Sequence, residues 1–139
     1  MNAVDTNILI YALDRDEPVK RSKARALVQR LATPPVSTVL LWQVAGETLR
    51  QMRRWEDLKK LIRVNTRRYL RSFQSFFPLV SPTSQVLDHA LDLGDRYSLS
   101  HWDSMILGAC LEAGVDTLYT EDMGAPITYS GVKLINPFV

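Results

Sequence analysis

The stretch Ala3-Val4-Asp5-Thr6-Asn7-Ile8-Leu9-Ile10-Tyr11-Ala12-Leu13 decides how the rest of the chain is read. Ala3-Val4 ends a short strand. Asp5-Thr6-Asn7 then supplies three residue types that cap helices, and the apolar run from Ile8 to Leu13 is the helix they open. A strand that passes through an acidic turn directly into a helix begins an alternating α/β chain. It also leaves a carboxylate, Asp5, at the carboxyl end of its strand.

Outward from this segment the alternation continues. A second helix starts at about Val19, with Ala24, Leu27, Val28 and Leu31 at the i, i+3, i+4, i+7 positions. Pro34-Pro35 ends it, and Pro35-Val36-Ser37 is a candidate short strand. Ser37 or Thr38 caps a third helix from Val39 to Trp55, with Leu41, Val44, Ala45, Leu49 and Met52 as its apolar stripe. A fourth, basic helix is expected from Glu56 to Phe76, buried along Leu58, Leu61, Ile62, Tyr69 and Phe73. Phe77-Pro78-Leu79-Val80 reads as a strand that Pro78 confines to a sheet edge or a strand start. Thr83 or Ser84 opens a fifth helix bearing Val86, Ala90, Leu93 and Tyr97. Ser100 opens a sixth, which Gly114 closes. Thr117–Thr120 and Val132–Ile135 are the last strands. Strands alternating with helices predict an α/β fold with a short parallel sheet covered on both faces, a three-layer α/β/α sandwich.

A length of 139 residues suits one core, so residues 1–139 are expected to form a single domain. The formal net charge is only +2, but it is unevenly placed. Nine of the 17 Lys and Arg residues fall between Arg50 and Arg71, opposed there only by Glu56 and Asp57, so the remainder is net acidic. The one cysteine, Cys110, has no internal disulfide partner. The first residues lack the pattern of a signal peptide, because Asp5 stands where a basic region belongs. No stretch approaches the ~20 apolar residues of a membrane span. A cytoplasmic protein with no membrane association is the expectation.

In a parallel sheet, ligands bind beyond the carboxyl ends of the strands at a switch in strand order. Asp5 ends the first strand, and Asp122 lies two residues past Thr120. Asp103 sits in the first turn of the sixth helix, and Glu47 lies mid-way along the third. Four acids from four distant segments can therefore meet at one edge. Each also has an ordinary role available. Asp5 fits an N-cap, and Asp103 fits a capping box with Ser100. Glu47 fits a solvated helix position, and Glu121 and Asp122 fit turn positions. Context adds weight to Asp103, since the helix around it is apolar nearly all round and a carboxylate beside it needs a partner. Glu47 falls at the border of its helix's apolar stripe. Magnesium and manganese take oxygen ligands of this kind. One or two such ions polarise a phosphate, lower the pKa of a bound water and steady the leaving oxygen. His89 and His101, the only histidines, show no zinc-site spacing.

The set Val4-Asp5-Thr6-Asn7-Ile8-Leu9, Glu47, Ser100-His101-Trp102-Asp103, Leu118-Tyr119-Thr120-Glu121-Asp122-Met123 and Asn136-Pro137-Phe138 resembles the PIN-domain family along the whole chain. Within it the nearest likeness is to the VapC-like toxins of toxin–antitoxin pairs. The resemblance implies the α/β/α sandwich, a Mg2+- or Mn2+-dependent endoribonuclease, a small cognate antitoxin and a homodimer. It implies that Asp5, Glu47, Asp103 and Asp122 hold the metal and are catalytic, with Glu121 an alternative for the fourth position. His101 replaces a more usual aromatic, and Gly124-Ala125-Pro126 replaces a more usual Asp-Gly.

For RNA contact, the stripe Lys59, Arg63, Arg67 and Arg71 offers a basic face, with Arg50, Arg53 and Arg54 nearer Glu47. Thr6, Asn7 and Thr120 can orient Asp5 or the metal's waters. Trp42, Trp55 and Trp102 read as core or interface. A non-catalytic PIN-like RNA- or protein-binding module is the alternative. A phosphorylatable receiver domain fits worse, because no acidic pair follows the first strand and no Asp follows Leu79-Val80.

Overall fold

The computed structural model describes residues 1–139. Strand β1 (Asn2–Val4) leads through Asp5 into helix α1 (Thr6–Tyr11), and α2 (Pro18–Leu31) follows. Then come β2 (Thr38–Leu41), α3 (Trp42–Asp57), α4 (Arg63–Phe76), β3 (Leu79–Val80), α5 (Gln85–Tyr97), α6 (His101–Ala113), β4 (Thr117–Tyr119), β5 (Ile127–Tyr129) and β6 (Val132–Ile135). The sheet order is β3-β2-β1-β4-β6-β5. The pairs β1–β2, β1–β4, β2–β3 and β4–β6 are parallel. The chain moves outward from β1 through β2 to β3, then crosses back to β4 on the other side of β1. Right-handed crossovers therefore place α1–α4 on one face and α5–α6 on the other. The switch in strand order lies between β1 and β4.

Several elements differ from the expectation. Thr38–Leu41 is a strand, not the first turn of the third helix, and all four of its residues are buried. A strand covered on both faces is a continuous apolar run, which periodicity alone does not separate from a buried helix start. The expected strand at Pro35-Val36-Ser37 is exposed connecting chain instead. The basic helix begins at Arg63, not Glu56, because α3 extends to Asp57 and the chain breaks at Lys59, whose φ is +59°. Leu58 and Ile62 consequently lie in the connection and are exposed, while Thr66 and Phe73 are the buried residues of α4. Finally, β5 pairs antiparallel with β6 across Ser130-Gly131, so the sheet is mixed at that edge. Both turn residues have positive φ, the twist that joins two strands through two residues.

The core is one cluster of 24 buried residues, including Ala3, Val4, Ile8, Leu9, Leu40, Leu41, Leu107, Leu118 and Leu134. No helix is long and apolar enough to cross a membrane. On the second face α5 and α6 pack at close range through Gly108, where an added Cβ would lie 2.8 Å from the Val86 carbonyl oxygen and 3.2 Å from the Ala90 nitrogen. Both are backbone atoms, so relief requires the helices to separate. Gly108→Ala is expected to lower unfolding stability by about 2 kcal/mol, despite alanine's better helix propensity. A denaturant midpoint equal to or above the parent's would contradict this packing.

Candidate functional site

The carboxyl edge around β1 and β4 opens into a cleft of about 510 Å³. Its lining brings together Asp5, Glu47, Asp103 and Asp122, with Thr6, Asn7, Gln43, Arg50, Arg54 and Trp102 among the remainder. The four acids come from the end of β1, the middle of α3, the first turn of α6 and the loop after β4.

Asp5 is the deepest of them, only 8% exposed. Its Oδ1 accepts from the Thr6 backbone N–H at 2.7 Å, and its Oδ2 accepts from the Thr120 hydroxyl at 2.8 Å. Burial pushes its carboxyl up to about 6 from 3.8; the Thr120 and Thr6 bonds oppose this, and the charges of Glu47 and Asp122 reinforce it. Glu47 is held at both oxygens. The Thr6 hydroxyl donates to Oε2 at 3.0 Å, and the Gln43 amide donates to Oε1 at 3.0 Å. Gln43 and Glu47 lie four residues apart on α3, a spacing that puts neighbours on one face.

Asp103 occupies the capping position expected for it. The Ser100 hydroxyl accepts from the Asp103 N–H at 3.3 Å, closing the α6 N-terminus. The Asp103 carboxylate itself lines the cleft. The ordinary role thus belongs to the backbone of Asp103, which leaves its side chain free for another.

Asp122 and Glu121 diverge. Asp122 lines the cleft, and its Oδ2 accepts from the Asn7 amide at 3.0 Å. Glu121 accepts instead from the Tyr11 hydroxyl at 2.7 Å and from the Lys20 ammonium at 2.9 Å. Thr120 is fully buried beneath Asp5, and its hydroxyl oxygen also accepts from the Asp122 N–H at 3.0 Å. It couples the β1 and β4 acids without lining the cleft.

The arginines split into two groups. Arg50 and Arg54 face the acids, whereas Arg63 and Arg67 line a separate depression with Arg53, Glu56 and Thr66 between α3 and α4. The expected stripe is also shorter, since Lys59 precedes α4. Lys60 pairs with Asp14 at 2.8 Å and Asp16 at 2.9 Å. Trp55 is buried, but Trp42 and Trp102 are 56% and 62% exposed, so these two are surface aromatics in this chain. Trp102 and Gln43 at the cleft escaped the sequence reading. For Gln43 the four-residue step to Glu47 was the available signal.

The donor set suits a hard divalent cation in kind: carboxylates on four elements, with a buried amide oxygen, Asn7 Oδ1, that lacks any hydrogen-bond partner. The acids share one cleft, but no three of the chain's His, Cys, Asp or Glu side chains are drawn together as a finished cation cage.

The chain thus combines a three-layer α/β/α fold with an acidic cleft at the switch between β1 and β4. The chain belongs to the PIN-domain family, whose model matches residues 3–126. Solved structures share its fold. A toxin–antitoxin complex from Klebsiella pneumoniae aligns at TM-score 0.70 and 18% identity over 99% of this chain and 98% of the other. VapBC2 from Rickettsia felis, bound to a promoter DNA fragment, aligns at 0.66 and 14% identity over 96% of each chain. VapBC-1 from Haemophilus influenzae aligns at 0.61 and 16% identity over 87% of this chain and 86% of the other. No curated protein matches the sequence.

Proposed function

We propose that the chain is a divalent-metal-dependent endoribonuclease and the toxin of a toxin–antitoxin pair. The observation that carries this reading is the meeting of Asp5, Glu47, Asp103 and Asp122 in one cleft of a PIN fold, from four segments that are distant in sequence. Its similarity in fold to toxin–antitoxin complexes supports the toxin role.

In this reading Asp5, Glu47, Asp103 and Asp122 hold Mg2+ or Mn2+. The bound ion supplies positive charge to the scissile phosphate and acidifies water for attack on phosphorus. The chain's own residues do the rest. Thr6 and Thr120 fix both oxygens of Asp5, and Thr6 and Gln43 fix both oxygens of Glu47. Asn7 steadies Asp122. Arg50 and Arg54 bind backbone phosphates of RNA at the rim. The Asp5 carboxyl, pushed up chiefly by burial and further by the charges of Glu47 and Asp122, would be held ionised by a bound cation. A small cognate antitoxin, a homodimer and a cytoplasmic setting complete the proposal, and light scattering of the chain with and without its antitoxin tests the assembly.

Purified antitoxin-free protein incubated with total cellular RNA is expected to give discrete products with Mg2+ or Mn2+, none with EDTA, and none from Asp103→Asn. Products that persist in excess EDTA would overturn the metal reading. One observation favours a second reading, a non-catalytic PIN-like RNA- or protein-binding module: no three acids form a finished cage. Failure of folded protein to bind either cation at millimolar concentration would establish that module instead.

A further inference from the structure

Glu121 has a chemical setting unlike that of the four acids in the cleft. The Tyr11 hydroxyl, from α1, donates to its Oε1 at 2.7 Å, and Lys20, from α2, donates to its Oε2 at 2.9 Å. Lys20 also donates to the Tyr11 oxygen at 3.2 Å, which closes a triangle of three mutual bonds. The ammonium lies 4.5 Å from the centre of the Tyr11 ring and 5.6 Å from that of Phe138, and these two rings meet edge to face at 5.1 Å. Such a cluster joins three chain segments through charge-assisted bonds on an aromatic floor.

The segment it grips has reason to need holding. Directly after Asp122, Met123 and Gly124 both take positive φ, +57° and +76°. A non-glycine residue in that region stores strain that its surroundings offset. The Asp122 peptide is bounded on one side by the Thr120 hydroxyl and on the other by the Tyr129 hydroxyl, which donates to the Met123 carbonyl at 3.0 Å. Glu121 and Asp122 lie between these ties, and their side chains are held separately, Asp122 by Asn7 and Glu121 by Tyr11 and Lys20. The Lys20 pairing also neutralises a fifth carboxylate beside a cleft that already holds four.

We propose that Glu121, anchored by Tyr11 and Lys20, is a positioning residue that fixes the loop so that the Asp122 carboxylate faces the cation site. The proposal rests on the metal-dependent reading and deepens it, because it assigns adjacent acids separate tasks: Asp122 faces the cation, and Glu121 holds the backbone that presents it.

The test is calorimetric titration of the folded full chain with Mn2+, comparing the parent with Glu121→Ala, Asp122→Asn and the double variant. Removing an outer partner of a metal ligand typically weakens binding ~10–100-fold. Glu121→Ala is expected to weaken Mn2+ binding about tenfold in the parent background and not at all in the Asp122→Asn background. Tyr11→Phe, which removes a single hydroxyl and keeps the ring stack, is expected to show a smaller loss in the same direction and serves if Glu121→Ala does not fold. A purely structural role would lower the melting temperature of metal-free protein while leaving Mn2+ affinity intact, and that result overturns the proposal. So does an equal loss in both backgrounds, since Glu121 would then act without Asp122. A parent that binds no Mn2+ overturns the underlying metal reading, and the proposal with it.

Discussion

Asp5→Asn is expected to reduce metal-dependent RNA cleavage on the order of a thousandfold while leaving the folded chain as stable as the parent or more stable in metal-free buffer. The first half follows from position. Asp5 is the most buried acid of the cleft, and both of its oxygens are held in place. An amide of the same shape lacks the charge that draws in a divalent ion, and a lost metal contribution is worth several kcal/mol in the barrier. The second half follows from the sign of the charge term. The folded state raises the Asp5 carboxyl from 3.8 to about 6, so it binds this proton more tightly than the unfolded chain does. The contribution of Asp5 to stability in metal-free buffer is therefore fully present below pH 4, is lost as pH rises through 4 to 6, and above pH 6 becomes a penalty of ~3 kcal/mol relative to the protonated form. Asparagine removes that penalty and still offers an oxygen to the Thr6 N–H. Cleavage assays paired with denaturant unfolding at pH 5 and pH 7.5, in EDTA, check both halves. Retained cleavage would remove Asp5 from the site. A variant that is less stable at pH 7.5 would show that its role is mainly capping.

That combination explains why Asp5 looked ambiguous in the sequence. A residue that ends β1, caps α1 and lines the cleft satisfies the capping pattern and the site pattern together. Asp103 is the same case, since its N–H is capped by Ser100 while its carboxylate lines the cleft. The local pattern was correct at both positions and insufficient to exclude function. What favours the functional reading is the coincidence of four acids in one cleft, which depends on strand order and so on tertiary structure. The distinction between Glu121 and Asp122 was not legible for a related reason. It is decided by Tyr11 and Lys20, more than 100 residues earlier in the chain.

The fold was legible where one local signal dominated. Ser100 and Gly114 mark both ends of α6, and the caps hold in the structure. It was not legible at Thr38–Leu41, where burial on both faces erases the alternation that marks a strand. The strand β5 had a usable signal that was overlooked. Ser130-Gly131 separates Ile127-Thr128-Tyr129 from Val132-Lys133-Leu134-Ile135 by two residues, a hairpin pattern. The break at Lys59 had no comparable mark, because Leu58-Lys59-Lys60-Leu61-Ile62 contains neither glycine nor proline. That break sets where the arginines lie, since it starts a separate helix that packs on α3 and leaves Arg63 and Arg67 in a different depression from Arg50 and Arg54.

Removing the cleft arginines together, Arg50→Ala with Arg54→Ala, is accordingly expected to lower kcat/KM for RNA about 100-fold at low salt and to leave kcat at saturating RNA within a few-fold of the parent. Arg50 and Arg54 lie three and seven residues beyond Glu47 on α3, so all three share a helix face. Neither arginine is paired with a carboxylate within 4 Å, although four acids share their cleft, so both remain available to an anion. A charge-assisted contact contributes ~1.5 kcal/mol or somewhat more, and two account for the expected loss. Since these contacts hold phosphates in the ground state and the transition state alike, the effect falls on KM. The dependence of log kcat/KM on log salt should also flatten, by up to about two units of slope, as two phosphate contacts disappear. Arg63→Ala with Arg67→Ala provides the comparison, because those residues stand outside the cleft and should change cleavage less. If kcat falls as far as kcat/KM, the arginines act on the reacting phosphate itself. If the salt slope is unchanged, RNA reaches the acids by another face, and the free charge of Arg50 and Arg54 is then available to an acidic protein partner instead.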